Sequence, residues 1–213
     1  MTATKKAIIA ISVILLVLLV DQVVKIWIKT TMTLGEDIQI TSWFFIRFIE
    51  NDGIAMGIKI IGQLYQTIFR LIFSVAIAYY IYLIIRHNFK LSYIVLVSMI
   101  FAGAVGNIID SVFYGVIFSE STYTQVAVLF PPEGGYESWL QGKVVDMFYF
   151  PLFRFIWPSW IPWLGGSEFE FFRYIFNVAD ASISVGICSV LLFCRKSLSL
   201  SFDKQEVDKG VEN

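Results

Sequence analysis

The chain contains a single histidine, His87, which lies beside Arg86 in a short polar stretch. Histidine is a frequent general base and metal ligand, so the sequence has almost no material for histidine-based catalysis or for a histidine metal centre. The two cysteines, Cys188 and Cys194, lie six residues apart in one apolar run, a spacing that fits neither a zinc motif nor a disulfide framework. We expect both to be buried thiols.

Charge is also scarce. Only 15% of the residues are charged, the net charge is −1, and the basic residues form no stripe, which argues against a nucleic-acid partner. In contrast, 57% of the residues are hydrophobic and 17% are aromatic. Together with a mean hydropathy of +0.73, these values indicate an integral membrane protein.

Four segments are apolar enough over about 20 residues to cross a bilayer. The first has no small-residue cleavage site and is expected to remain as an anchor. Three short polar segments carry eight of the 16 basic residues, a higher density than in the two long connections, which predicts cytoplasmic termini and long connections on the outer side. The predicted spans are about 7–27, 64–85, 92–117 and 176–194, and the basic residues are Lys5, Lys6, Arg86, Lys90, Arg195, Lys196, Lys204 and Lys209.

The predicted fold is an all-α membrane protein, a single integral membrane domain over 1–213 with four transmembrane helices. The outer connection at about 35–62 is rich in β-branched and aromatic residues, which predicts a small β-sheet cradle on the membrane surface. A second long outer loop covers about 118–175. The polar tail at about 197–213 is expected to be disordered in the cytoplasm.

Polar residues interrupt the apolar runs near their predicted outer ends. Asp21 and Lys25 have the i, i+4 spacing of a pair on one helical face, which by itself favours an ion pair that reaches towards the membrane interface.

In the third span, Gly103 and Gly106 predict a close helix approach, and Asn107 and Asp110 follow on one face. For Asn107 we keep two alternatives, an interhelical hydrogen bond that holds the bundle and a direct role in a site.

Three further residues suggest chemistry. Asp146 has apolar neighbours at a membrane surface, so we expect its carboxyl group to be partly desolvated and its pKa to be raised. Asp180 lies at the start of the last span, and Asn177 precedes it by three residues. Two carboxyl groups in one apolar site can share a proton and hydrolyse a peptide bond without metal, serine or histidine.

The spacing fits a second function equally well, because the proton relay of a transporter also uses carboxylates within the membrane. A transporter predicts charges near mid-membrane and an internal repeat, and we find no convincing repeat. Tryptophans of the two outer connections and of the end of the first span predict an aromatic belt on the outer side: Trp27, Trp43, Trp139, Trp157, Trp160 and Trp163. A non-catalytic membrane assembly factor would keep this belt without needing paired aspartates.

Five motifs occur in order along the chain: "DQVVK" (21–25), "NDGIAMG" (51–57), "GAVGNIID" (103–110), "VVDMF" (144–148) and "FNVAD" (176–180). As a set they closely resemble the motifs of the lipoprotein signal peptidases, also called signal peptidase II. The resemblance covers about residues 10–195. It implies a four-helix intramembrane aspartic endopeptidase with a surface cradle and with both termini in the cytoplasm.

The resemblance also implies the substrate and the site. The enzyme would cut the signal peptide from a prolipoprotein just before a cysteine that carries a diacylglyceryl group, in the bacterial cytoplasmic (inner) membrane near its extracytoplasmic surface. It would work with no metal or cofactor and no nucleic acid, in contact with membrane lipids, as a monomer. Asp146 and Asp180 match the catalytic pair. Substrate-binding or supporting positions match Asn177, Asn51, Gly53, Asn107, Asp110, Asp21 and Lys25.

The chain departs from the family pattern in three places. Ser111 stands where the motif usually ends in arginine, and Lys143, Arg154 and Arg173 are candidates for a replacement charge. Methionine replaces phenylalanine at 56 and 147, which still fills apolar space. The segment 119–141 is longer than expected for the family, and we interpret it as a possible lid or additional surface contact.

Overall fold

The computed structural model describes residues 1–52 and 62–201, so Gly53 and Met56 lie outside the described residues. Its long helices are α1 (Ala3–Thr31), α2 (Gln63–Arg86), α3 (Leu91–Ile109) and α5 (Val178–Phe193). A π-helical turn, Asp110–Tyr114, and the short α4, Gly115–Ile117, extend α3.

Three helices are long and apolar enough to cross a membrane: α1, α2 and the continuous segment Leu91–Ile117. Helix α5 has 16 residues. It is followed, after a bend of 91°, by a short helix Arg195–Ser201, and the two together can form a fourth span. The prediction of disorder from residue 197 therefore differs from the structure, which is helical to Ser201, and the rest of the tail lies outside the described residues.

Helix α3 occupies the centre of the bundle and packs against α1, α2 and α5. The approach of α3 to α5 depends on glycine, as the sequence predicted. A Cβ atom on Gly103 would lie 2.3 Å from the carbonyl oxygen of Ala179, and one on Gly186 would lie 2.6 Å from the side chain of Ile100. The backbones of these two helices are therefore closer than a side chain would allow.

One end of the bundle gathers the amino terminus, the α2–α3 link and the carboxyl-terminal helix. Lys6 Nζ donates to the backbone oxygen and side-chain oxygen of Asn88 at 3.1 and 2.6 Å. Tyr80 Oη forms a hydrogen bond with Tyr93 Oη and another, at 2.6 Å, with Ser201 Oγ. These contacts bring together, at one end of the bundle, the three segments whose basic residues predicted that they share one side of the membrane.

The opposite end carries a four-stranded antiparallel sheet in the order β1-β2-β3-β6. Strands β1 and β2 lie within the predicted cradle, whereas β3 and β6 come from the connection that we predicted as a loop. Strands β4 and β5 form a separate hairpin. Aromatic and β-branched residues throughout that connection favour strands. Strand β3 pairs with β2, β6 pairs with β3, and β4 pairs with β5. In chain order the strands are β1 (Asp37–Gln39), β2 (Phe45–Asn51), β3 (Val144–Tyr149), β4 (Phe153–Ile156), β5 (Glu168–Phe171) and β6 (Ile175–Phe176).

The long segment 119–141 contacts the carboxyl-terminal end of α1 and strand β2. Lys29 Nζ, which is fully buried, forms an ion pair with Glu50 and donates to Ser121 Oγ at 2.9 Å. Ser121 Oγ in turn donates to Glu50 Oε1 at 2.8 Å. Leu34 adds a backbone hydrogen bond to Thr122. Hydrogen bonds of Ser121 and Thr122 thus attach the segment to the buried Lys29–Glu50 ion pair and to Leu34.

The outward faces of the long helices expose large apolar side chains, as expected for contact with lipid. The expectation for the cysteines is right only for Cys194, which is buried; Cys188 is exposed on α5, and both are free thiols. Spacing cannot tell which face of a uniformly apolar helix turns outwards. Examples of exposed side chains are Leu15, Leu19, Phe69, Ile72, Phe73, Leu192 and Phe193.

Substitution Gly103→Ala tests the close approach of α3 and α5. The added methyl group would overlap the backbone of Ala179, so we expect the free energy of unfolding to fall by about 1–3 kcal/mol. Thermal unfolding in detergent measures the change. Gly62→Ala is the matched control, because its Cβ would meet its nearest neighbour at 3.8 Å. Equal melting temperatures for the two variants would contradict this packing.

Candidate active site

Asp146 lies in the middle of strand β3, with Val145 and Met147 beside it in the chain. It pairs across the sheet with Ile49 of β2, and it is only 5% exposed. Asn51, at the end of β2, donates from Nδ2 to Asp146 Oδ2 at 3.2 Å. The sheet therefore holds this carboxyl group in a buried position and provides one of its hydrogen-bond partners.

Asp180 lies in the first turn of α5, directly after strand β6. Asn177 is the N-cap of this helix, and its Oδ1 accepts from the backbone N–H of Asp180 at 2.8 Å. The Asp180 carboxylate faces back to the N–H of Asn177 at 3.5 Å, which completes a capping box. Because β6 pairs with β3, the cap starts the helix beside the strand that carries Asp146.

The side-chain amide of Asn177 links the two aspartates. Its Nδ2 donates to Asp146 Oδ1 at 2.7 Å, and the carbonyl of Val145 and Oδ1 of Asn107 lie at 3.2 and 3.1 Å. Its Oδ1 is used by the cap of α5. One fully buried amide thus connects the Asp146 carboxyl group to the helix turn that carries Asp180.

Asn107 of α3 holds the Asp180 carboxylate. Its Nδ2 donates to Asp180 Oδ1 at 2.8 Å, and its Oδ1 accepts from Lys25 Nζ at 2.9 Å. An ammonium group only donates, so the amide oxygen of Asn107 must face Lys25 and its nitrogen must face Asp180. Both alternatives for Asn107 apply, because the residue connects helices and also contacts the site.

Lys25 lies between two carboxylates, Asp21 at 2.9 Å and Asp110 at 2.8 Å, and all three side chains are fully buried. The predicted i, i+4 pair is confirmed, but its interpretation as an interfacial ion pair is wrong. Asp110 Oδ2 also accepts from the N–H of Val145 at 3.2 Å, and Asp21 Oδ1 accepts from the N–H of Ala179 at 2.8 Å. The ion-pair cluster therefore fixes the backbone beside both Asp146 and Asp180.

Gln22 and Tyr114 also belong to this cluster, and the sequence analysis missed them. Gln22 Nε2 donates to Asp110 Oδ1 at 3.0 Å and lies 3.1 Å from Asp21 Oδ2. The hydroxyl group of Tyr114 donates to Gln22 Oε1 at 3.1 Å. A glutamine next to Asp21 in an apolar run was the available signal.

Arg70 of α2 was missed as well. Its Nη1 donates to the hydroxyl oxygen of Ser111 at 3.1 Å, so the cation beside this serine comes from another helix. Two of the candidates named from the sequence form ion pairs elsewhere, Lys143 with Glu50 and Glu120 and Arg154 with Glu170. The third, Arg173, lines a cavity that also contains Asp146. An arginine within an apolar span was the signal that could have identified Arg70.

The pKa of Asp146 is raised from the ordinary value to about 7. Burial is the main cause, the charge of Asp180 is the second, and the hydrogen bond from Asn51 opposes both. The elevation predicted from its apolar neighbours is thus confirmed. A carboxyl group with this pKa exchanges a proton near neutral pH.

A cavity of about 900 Å³ opens beside Asp146. Its walls are the end of β2 and the segment that runs from β5 into β6, with both aromatic and charged side chains. In the described chain, residues 119–141 form no part of this wall, so the interpretation of that segment as a lid finds no support. The lining residues are Ile49, Glu50, Asn51, Asp52, Asp146, Phe169, Glu170, Phe171, Phe172, Arg173, Tyr174 and Ile175.

Within the described residues, all the site residues suggested by the sequence come together in one hydrogen-bonded network; Gly53 is not described. The network spans α1, β2, α3 with its π-helical turn, β3 and the start of α5. Its predicted members are Asp21, Lys25, Asn51, Asn107, Asp110, Asp146, Asn177 and Asp180.

Relatives of the chain share most of its length. The lipoprotein signal peptidase of Porphyromonas gingivalis is 47% identical over 205 residues, covering 94% of this chain and 89% of that protein. The lipoprotein signal peptidase of Amoebophilus asiaticus is 32% identical, covering 99% and 87%.

Two solved structures and a family model also match most of the chain. Two structures of a bacterial membrane enzyme, each 26% identical, superpose with TM-scores of 0.57 and 0.59, covering 86% and 89% of this chain and 90% and 89% of theirs. The family model for signal peptidase (SPase) II matches residues 13–195. The chain therefore belongs to the signal peptidase II family, a family of membrane-embedded proteases.

Proposed function

We propose that this protein is an intramembrane aspartic endopeptidase that removes the signal peptide from diacylglyceryl-modified prolipoproteins, cutting just before the lipidated cysteine. The observation that carries the proposal is the joint attachment of Asp146 and Asp180 to the amides of Asn177 and Asn107. Membership of the signal peptidase II family and relatives named lipoprotein signal peptidase support the substrate class.

In the proposed reaction, Asp146 and Asp180 share one proton. The ionised carboxylate takes a proton from a water molecule whose oxygen attacks the scissile carbonyl carbon, while the protonated partner donates to the developing oxyanion. Collapse of the tetrahedral intermediate breaks the C–N bond. The carboxyl group that took the water proton passes a proton to the leaving amine, and a hydroxyl group of the intermediate returns its proton to the other carboxylate as the new carboxyl terminus forms. Water is the only co-reactant, and the pair returns to its starting protonation state.

The position of the pair suits a substrate that arrives from the membrane. A signal peptide is helical in lipid, and its backbone must unwind before a nucleophile reaches a carbonyl group. Asp146 lies on a strand at the end of the helical bundle and beside a cavity, where water can enter. This placement favours a hydrolase over a transporter relay, which needs carboxylates near mid-membrane.

The proposal includes a topology. Four crossings, with α5 and the short helix that follows it as the last, put the amino terminus, the α2–α3 link and the carboxyl terminus in the cytoplasm. The site then lies near the extracytoplasmic surface of the bacterial cytoplasmic (inner) membrane, and the exposed apolar helix faces contact lipid. The enzyme acts as a monomer in this proposal, because Asp146 and Asp180 belong to one chain.

Cleavage of a lipid-modified precursor by the purified protein tests the function. We expect a product that begins with the lipidated cysteine, identified by mass spectrometry. Asp146→Asn and Asp180→Asn should each lower kcat by at least about 1,000-fold, because each removes one member of a pair that acts as a unit.

Asp37→Asn is the matched control, because Asp37 of β1 forms an ion pair with Arg47 of β2, outside the network of the site. This variant should cleave like wild type. Normal cleavage by correctly folded Asp146→Asn or Asp180→Asn would refute the two-aspartate mechanism. The same precursor without the lipid should be cut far more slowly, and equal rates would refute the proposed substrate class.

Treatment with a chelator should leave activity unchanged. The described residues contain no group of three or more His, Cys, Asp or Glu side chains suited to a metal ion, and the proposed reaction needs only water and two carboxyl groups. Activity is measured after EDTA and again after added zinc. A loss with EDTA that zinc reverses would contradict the proposal.

Stability should depend on pH through Asp146. Its pKa is about 7 in the folded protein against 3.8 ordinarily, so between these values the folded state holds a proton that the unfolded state has lost. Stability therefore falls as pH rises through this window. Asp146→Asn should melt several degrees above wild type at pH 8 and show no such gain at pH 4. An equal difference at both pH values would contradict the raised pKa.

A further inference from the structure

Arg70 is connected to the site through two hydrogen bonds. Its Nη1 donates to Ser111 Oγ at 3.1 Å, and Ser111 Oγ donates to the backbone oxygen of Asn107 at 3.0 Å. Asn107 is the residue whose side chain donates to Asp180. The contact lies at the start of the π-helical turn, where the regular hydrogen bonding of α3 is interrupted. Arg70 therefore supports the helix at the point from which Asn107 reaches the carboxylate.

The charge of Arg70 is also available to the catalytic pair. Lys25 is engaged by Asp21 and Asp110, whereas no carboxylate in the described chain forms a direct ion pair with Arg70. Asp180, Asp110 and Asp146 are the carboxyl groups whose charge reaches the guanidinium. In a partly buried site such interactions extend over longer distances than in water. A guanidinium with no direct carboxylate partner in the described chain thus lies beside the helix segment that holds Asp180.

We propose that Arg70 is a positioning residue for the peptidase reaction, which holds the Asn107 segment through Ser111 and stabilises the ionised carboxylate that activates water. An arginine suits this place because its guanidinium offers several donors in a fixed plane and is weakly hydrated. The inference rests on the aspartic endopeptidase function proposed above.

Arg70→Gln tests the proposal, since glutamine keeps a donor but removes the charge. With the lipid-modified precursor, we expect kcat to fall about 10-fold or more and KM to change by less than about 3-fold, because Arg70 acts on the reacting pair through other groups. The acidic limb of the kcat profile should move to higher pH, because less positive charge disfavours the carboxylate.

Charged groups from several elements surround the pair. Asp21 and Lys25 belong to α1, Arg70 to α2, and Asp110 to the turn after α3. Four more line the cavity beside Asp146: Glu50, Asp52, Glu170 and Arg173. All of these except Arg70 are unchanged in Arg70→Gln, so a movement of the acidic limb reports the loss of the guanidinium.

Relocation of the charge separates an electrostatic role from packing. In the double variant Arg70→Ser with Ser111→Arg, the arginine and the serine exchange positions, so the guanidinium extends from the π-helical turn instead of from α2. We expect kcat to return to within about 3-fold of wild type and the acidic limb to return with it. Equal losses of kcat in Arg70→Gln and in the double variant, with the limb unmoved in both, would overturn the proposal.

A folding defect in Arg70→Gln does not prevent the test. Arg70→Met then takes its place as the neutral variant and is compared with Arg70→Lys, which keeps the positive charge. A displaced limb in Arg70→Met together with a wild-type limb in Arg70→Lys supports the proposal, and the same limb in both variants overturns it. Arg86→Gln is the matched control, an exposed arginine near the other end of α2, and it should behave like wild type.

Two further variants separate this inference from the proposed function. If wild type cleaves, Asp146→Asn and Asp180→Asn do not, and Arg70→Gln equals wild type in kcat and pH profile, only the role of Arg70 falls. If the two aspartate variants cleave normally, the proposed function falls, and the role of Arg70 falls with it.

Discussion

The buried ammonium group of Lys25 determines the direction of the hydrogen bonds that hold the two aspartates. Lys25 can only donate, so Asn107 must present its oxygen to Lys25 and its nitrogen to Asp180. The same Asn107 oxygen accepts from Nδ2 of Asn177, whose side-chain oxygen caps α5. The cap of α5, the hydrogen bond to Asp146 and the hydrogen bond to Asp180 therefore all depend on Lys25. Removing one partner of such a buried pair typically costs about 3–5 kcal/mol, because a charge is left uncompensated.

The second constraint is the junction between sheet and helix. Strand β6 pairs with β3 and then passes directly into α5, so the first helical turn begins next to the strand that carries Asp146. A side chain on a paired strand and one in a capped first turn have little freedom to move. This rigidity suits the proposed reaction, which needs two carboxyl groups held in a constant relation.

Burial and function are linked at Asp146. The apolar surroundings that raise the pKa of this carboxyl group make its ionised form costly, and so they reduce stability above about pH 4. The same pKa near 7 allows proton exchange at neutral pH in the proposed mechanism. The protein thus carries a destabilising group at the position where the proposed chemistry needs it.

The sequence by itself determined what depends on local spacing and composition: the apolar helices, the Asp21–Lys25 pair on one helical face, the glycine approach through Gly103, and the raised pKa of Asp146. It also predicted most of the network by its motifs. Only the tertiary structure decided that Arg70 meets Ser111, that the second connection forms strands, and that Cys188 faces outwards. The period of a helix or strand fixes which residues share a face, whereas the packing of distant segments fixes which faces meet.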